Sequence, residues 1–107
     1  MVKHEKHARH HEQRHVQDSD IEFKIVVRRN RLLGLWAAEK LGLAGDAAAA
    51  YAKEVVSADF EEPGDADVIR KILKDFSEKS VAIGEAEVRD QITRLHGVAR
   101  HEIAPKR

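Results

Sequence analysis

The sequence predicts an all-α protein, a four-helix bundle preceded by a flexible, histidine-rich N-terminal segment. Apolar residues recur at intervals of three and four in four separate stretches, which is the spacing of one helix face. No long stretch alternates apolar and polar residues as a half-buried strand does, and short turns join the stretches. The first 18 residues carry almost no large apolar side chain, so they cannot build a core of their own.

The N-terminal segment, residues 1–18, is basic and rich in histidine. Its helical stripe of imidazoles consists of His4, His7, His11 and His15. Histidine titrates near neutral pH, so this segment has the chemistry of a pH sensor. The same spacing suits metal ligands, but a metal ion would have to order the segment by itself, so we predict no specific metal site.

The bundle itself is predicted over residues 19–104. Ser19 and Glu22 match a capping box directly before the apolar residues begin. Helix 1 is therefore predicted over about 19–41, and Gly42 ends it.

The three further helices follow from the same periodicity and from their turns. The turn Glu61-Glu62-Pro63-Gly64 separates the second helix from the third, for which Asp65 is a suitable N-cap. The predicted ranges are about 46–60, 65–79 and 85–103.

The composition excludes several classes of function. With 107 residues the chain suits one small domain, and without cysteine it has no disulfide, thiolate metal site or cysteine nucleophile. The 19 basic residues are balanced by 19 acidic ones, which argues against nucleic-acid binding. No apolar run is long enough to cross a membrane, so we expect a cytoplasmic protein without membrane insertion. No catalytic triad and no phosphate-binding glycine loop occurs, so we predict neither an enzyme nor a cofactor.

Basic residues on helix 1 form a candidate docking or ligand stripe. Lys24, Arg28 and Arg31 share one face, which suits phosphates or an acidic protein surface, or is simply solvated. Weak nucleotide binding is one option for this stripe. Arg29 differs because the helical wheel places it near Trp36, inside the apolar arc. It either extends past the core to water or pairs with an acidic residue of another helix.

Three stretches of the chain resemble one known family. They are RRNRLLGLWAAE at 28–39, YAKEVV at 51–56 and ADFEEPGD at 58–65, and together they are similar to the ζ-subunit family of alphaproteobacterial ATP synthases. The likeness covers about residues 11–103. It implies a regulatory subunit with a mobile N-terminal segment that enters a catalytic interface of the F1 head, beside the central stalk, and blocks ATP hydrolysis. The resemblance also implies a location peripheral to the inner membrane, through the ATP synthase.

The inhibitory segment of this family reads Phe-Glu-x-Lys-Phe-x-His-Asp, and the aligned residues 11–18 here are HEQRHVQD. The resemblance assigns partner binding to His11, Glu12, Arg14, His15 and Asp18. An imidazole in place of an aromatic ring buries less apolar area and must be desolvated when charged. The two histidine replacements therefore predict inhibition that is weaker than in the family or dependent on pH. The alternative is a non-inhibitory helical binding module with a pH- or metal-responsive head.

Overall fold

Four helices build the part of the protein that the structure describes. The computed structural model describes the backbone of residues 2–59 and 64–103, and the side chains of residues 20–59 and 64–103. The helices are α1 (Val2–Lys40), α2 (Gly45–Ala58), α3 (Ala66–Glu78) and α4 (Glu85–Ile103). These ranges contain no strand, which confirms the predicted all-α, bundle-like architecture for the described residues.

The first helix begins earlier than predicted. α1 starts at Val2 instead of Ser19, in a stretch without glycine or proline that is rich in lysine, arginine, glutamate and glutamine, which are good helix formers. The side chain of Ser19, the first residue of the predicted capping box, lies outside the described residues, so the capping box is untested. The flexibility of the head also stays a prediction. None of the helices in the described ranges is long and apolar enough to cross a membrane.

Glycine ends α1, as predicted. Gly42 has a φ of 82°, in the left-handed region that other residues avoid. This conformation turns the chain so that the Leu43 N–H donates to the Ala38 carbonyl at 2.8 Å, and the Gly42 N–H donates to the Glu39 carbonyl at 3.1 Å. The last carbonyls of the helix are thereby satisfied, and α2 follows after a short loop.

α1 is the centre of the bundle. It packs against α2, α3 and α4, whereas α2 and α4 do not approach each other within the described ranges. The core includes an edge-to-face pair between Trp36 of α1 and Phe76 of α3, with ring centroids 5.8 Å apart. Other core residues are Leu33, Val55, Val68, Ile72, Val88 and Leu95.

Gly34 allows α1 and α2 to lie unusually close together. A Cβ atom at this position would be 2.6 Å from the Ala52 Cα and 3.2 Å from the Val55 Cβ. The first of these is backbone and cannot rotate away, so any side chain at Gly34 would push the two helices apart.

Candidate partner-binding groove

An open cavity of about 520 Å³ lies along α1, between α2 and the end of α4. It exists because α2 and α4 flank α1 without meeting each other in the described residues. We call this cavity the groove. Its apolar lining consists of Phe23, Val27, Val56 and Ile103, and Ser57 adds a hydroxyl.

Among the described residues, four cations and no acidic residue line the groove together with these apolar side chains. The cations are Lys24, Arg28, Arg31 and Lys53. Three come from α1, so the predicted basic stripe is brought together on one side of the groove. Lys53 joins it from α2.

Two of the four cations already have acidic partners at the surface. The Lys24 Nζ is 3.3 Å from the Asp20 Oδ2, and the Arg28 Nε donates to the Glu102 Oε1 at 2.7 Å. Arg31 and Lys53 make no ion pair within the part of the chain that is described. A positive charge therefore remains at the groove.

Ion pairs between α1 and α4 help to place the groove wall. Besides Arg28 and Glu102, the Arg100 Nη1 lies 3.5 Å from the Glu22 Oε2. Both pairs are well exposed, and each is worth only about 0–1 kcal/mol. Together they hold the last turn of α4 beside α1, and this places Ile103 in the groove wall.

Arg29 lies away from the groove. It is 5% exposed, and its Nη2 donates to the Asp65 Oδ1 at 2.8 Å. The same guanidinium donates to the Asn30 Oδ1 through Nε at 3.1 Å and through Nη2 at 2.9 Å. Of the two alternatives for Arg29, ion pairing is the observed one, but its partner Asp65 directly precedes α3 and does not lie within another helix.

The acidic residues around the α2–α3 turn gather near Arg29. Burial is the main effect on Asp59, and it raises the pKa of this carboxyl. The positive charge of Arg29 and a hydrogen bond with Asn30 act in the opposite direction. The nearby carboxylates of Asp65 and Asp67 add a smaller increase. The Asp67 Oδ1 accepts from the Arg70 Nη1 at 2.6 Å. Within the described side chains, no group of three or more histidine, cysteine or acidic residues is arranged for a metal ion.

A second polar network ties α2 to α3. The Tyr51 hydroxyl donates to the Asp75 Oδ2 at 2.7 Å, and the Lys71 Nζ donates to the same oxygen and to the Glu54 Oε1, each at 3.0 Å. Burial, together with the Asp75 carboxylate, raises the pKa of the Tyr51 phenol, so it stays a neutral donor. Burial alone would lower the pKa of Lys71, but its two carboxylate partners raise it. The network fixes α2, which carries Lys53 and Val56.

The sequence predicts the α1 side of the groove, at Lys24, Arg28 and Arg31, but not the residues that α2 and α4 contribute. The pair Phe23 and Val27, four residues apart and off the main core stripe, was an available signal for a second apolar face on α1. Lys53 had no such signal, because only tertiary packing brings α2 beside the stripe. The predicted head residues lie outside the described side chains, and they are His11, Glu12, Arg14, His15 and Asp18.

Comparison with known proteins places the chain in context. The family model described as ATPase inhibitor subunit zeta matches residues 1–102. A solved solution NMR structure is similar at 52% sequence identity and a TM-score of 0.69, and the match covers 77% of this chain and 93% of that one. No curated protein matches the sequence.

Proposed function

Since the chain belongs to the ATPase inhibitor subunit zeta family, we propose that it binds the F1 head of a bacterial ATP synthase and restrains ATP hydrolysis through its N-terminal segment. The observation that carries this proposal is that the family match runs from residue 1 to residue 102, so it includes the head as well as the bundle. The role is regulatory and non-catalytic.

The head acts, in this proposal, as a helix that fills a cleft of its partner. α1 (Val2–Lys40) carries both the head and the central helix of the bundle, so a head seated in F1 is anchored to a folded body. Because this segment has little apolar surface, its binding free energy comes from charge pairs and from the exclusion of water in the cleft. Glu12, Arg14 and Asp18 are the candidates for the charge pairs.

His11 and His15 make the inhibition depend on pH in this proposal. A neutral imidazole enters a partly apolar cleft at lower cost than a charged one. In this proposal the sites that receive these rings are apolar, because the aligned family residues are phenylalanines, so inhibition is stronger above the histidine pKa than below it.

The direct experiment measures ATP hydrolysis by purified F1 from the source organism, with and without the full-length protein, at about pH 6 and about pH 8. We expect inhibition that saturates with added protein, and that is stronger at the higher pH. If the protein neither binds nor inhibits F1 at both pH values, the proposal is disproved.

A second experiment separates the inhibitor from the alternative, a binding module with a pH- or metal-responsive head. A chain without residues 2–18 should lose inhibition and keep cooperative thermal unfolding, because the buried core residues among the described side chains start at Ile25. If the deletion instead abolishes zinc binding and leaves ATP hydrolysis unaffected, the alternative is correct. A titration with ATP, followed at the amides of Arg28 and Arg31, tests the nucleotide option for the basic stripe.

A further inference from the structure

We propose that the groove is a second docking site, which binds an acidic, amphipathic helix of the F1 partner beside the cleft that receives the head. The inference rests on the proposed function for the identity of the partner. It adds a contact for the bundle, which is separate from the inhibitory segment.

The charge of the groove selects an acidic occupant. Within residues 20–59 and 64–103, its lining holds four cations and no anion, and the surface partners Asp20 and Glu102 leave a charge of +2 on these residues. Arg31 and Lys53 lie on different helices and have no ion pair within the described residues. Carboxylates of a partner can therefore pair with both sides of the groove at once.

The apolar lining selects an amphipathic occupant over a purely charged one. Phe23 is 53% exposed, the most exposed large hydrophobic side chain among the described residues, and it lies with Val27 on the α1 side. Val56 of α2 and Ile103 of α4 form the facing walls. A cavity lined both by apolar side chains and by the exposed cations Arg31 and Lys53, which we call the rim, fits a helix that carries leucine-like residues on one face and carboxylates at the edges.

The position of the groove on α1 puts it within reach of a partner that holds the head. A helix rises about 1.5 Å per residue, so Phe23 to Arg31 lie roughly 8–20 Å beyond Asp18 along the axis. Once the head is bound, the groove is tethered close to the partner's surface, so the effective concentration of any second contact site is high. Even a weak second contact therefore strengthens the complex.

The test uses the full-length chain and a double charge reversal at the rim, Arg31→Glu with Lys53→Glu. The matched control is Lys74→Glu with Arg94→Glu, which reverses two exposed cations of α3 and α4 that do not line the groove. Both variants change the net charge equally and leave the core untouched. Their thermal unfolding midpoints are compared first, to establish that each is folded.

We expect the rim variant to need at least about tenfold more protein for half-maximal inhibition of F1, which corresponds to about 1.4 kcal/mol. Maximal inhibition should be unchanged because the head is intact, and the control should match the parent. If the parent inhibits and the rim variant behaves like the parent, the groove proposal is overturned while the proposed function stands. An equal loss in the control also overturns it, because the effect is then one of net charge.

A readout without F1 keeps the two proposals distinguishable. The parent is titrated with a synthetic helix that has leucines on one face and glutamates on the other, and with the same helix carrying lysines in place of glutamates. We expect shifts of the Val27 and Val56 amides with the acidic helix only, lost in the rim variant. No shift with the acidic helix overturns the groove proposal, whether or not the protein inhibits F1.

The same protein is mixed with phosphatidylglycerol vesicles, because a cationic rim with an exposed aromatic ring also suits an anionic lipid surface. Vesicle binding that the rim variant loses, without a response to the acidic helix, would overturn the proposal in favour of a membrane. Failure of the parent to bind F1, with a normal response to the acidic helix, would instead disprove the proposed function and leave the groove as a site for acidic helices.

Discussion

Arg29 of α1 and Asp65, the residue that precedes α3, form an ion pair of 2.8 Å between Nη2 and Oδ1. Asp65 stands at the N-cap position of α3, yet its side chain makes no capping hydrogen bond. The carboxylate serves the contact between the first and third helices instead of the end of its own helix. This pair joins segments that are 36 residues apart in the sequence.

Substitution of Arg29 should weaken the fold, and the loss should depend on the shape of the replacement. Arg29→Lys keeps the charge but loses the planar fork that holds Asn30 and Asp65 together, and we expect a loss of about 1–2 kcal/mol in the free energy of unfolding. Arg29→Met removes the positive charge that lies among several carboxylates, and we expect a loss of about 3 kcal/mol in the free energy of unfolding. Urea unfolding measures both. Arg28→Lys, at the exposed neighbour, should cost under about 0.5 kcal/mol, and a similar loss there would contradict a specific role of Arg29.

The ionisation of Asp59 should oppose folding at neutral pH. Burial raises its pKa above the ordinary 3.8, so between 3.8 and the raised value the folded state binds more protons than the unfolded chain. The contribution of Asp59 to stability therefore rises as the pH falls through the raised pKa. We expect Asp59→Asn to increase the Tm at neutral pH, with an advantage that shrinks as the pH approaches 3.8.

Asp65→Asn is the control for this pH series, because it removes the partner of Arg29. It should lower the Tm at neutral pH, opposite in sign to Asp59→Asn. If Asp59→Asn also lowers the Tm there, the attraction between Asp59 and Arg29 outweighs the cost of burying the carboxylate.

Two glycine-to-alanine substitutions should have opposite effects. At Gly34 the new Cβ would meet the Ala52 backbone at 2.6 Å, so we expect Gly34→Ala to lower the free energy of unfolding by about 1–3 kcal/mol. A Cβ at Gly97 of α4 would have no neighbour within 4 Å. Gly97→Ala should therefore stabilise by about 0.5–1 kcal/mol through helix propensity alone. Equal effects at both positions, measured by thermal unfolding, would contradict the close approach of α1 and α2.

Restoring aromatic rings to the head should strengthen inhibition of F1. The double variant His11→Phe with His15→Phe adds apolar area to the head. Burial of this area contributes about 1.5–3 kcal/mol of binding free energy per fully buried ring, and the variant also removes two titrating groups. We expect half-maximal inhibition at lower protein concentration and a flatter pH profile in the ATP hydrolysis assay. His4→Phe with His7→Phe, outside the aligned segment, is the control and should leave inhibition unchanged. An unchanged concentration for the first variant would disprove the role given to these rings.

The helices could be predicted from the sequence because their signals are local. The apolar spacing around Ile72 and Phe76, and the glycine at the end of α1, are read from neighbouring residues, and Gly42 ends that helix as expected. Asp65 was placed correctly before α3, but its side chain has a different partner. A tertiary contact decided that role: the helical wheel marked Arg29 as a candidate for pairing, but the sequence does not show which acidic residue it reaches.

The groove could be predicted only on its α1 side for the same reason. Lys24, Arg28 and Arg31 are visible as a stripe in the sequence, whereas Lys53 and Ile103 become neighbours of the stripe only through the packing of α2 and α4 on α1. The cavity itself is the gap between two helices that do not meet in the described ranges. A gap between elements leaves no pattern in any one of them.

The attachment of the end of α4 to α1 decides where the protein can be labelled. Ile103, the last residue of α4, forms part of the groove wall, and the N-terminal segment is the proposed inhibitor. Affinity tags or fluorophores at either end of this sequence would therefore lie next to a proposed contact with F1. The loop between α1 and α2, around Gly42 and Leu43, is roughly 15–30 Å further along α1 from the groove residues. A reporter placed there leaves both contacts accessible, so it is the position of choice for measuring binding to F1.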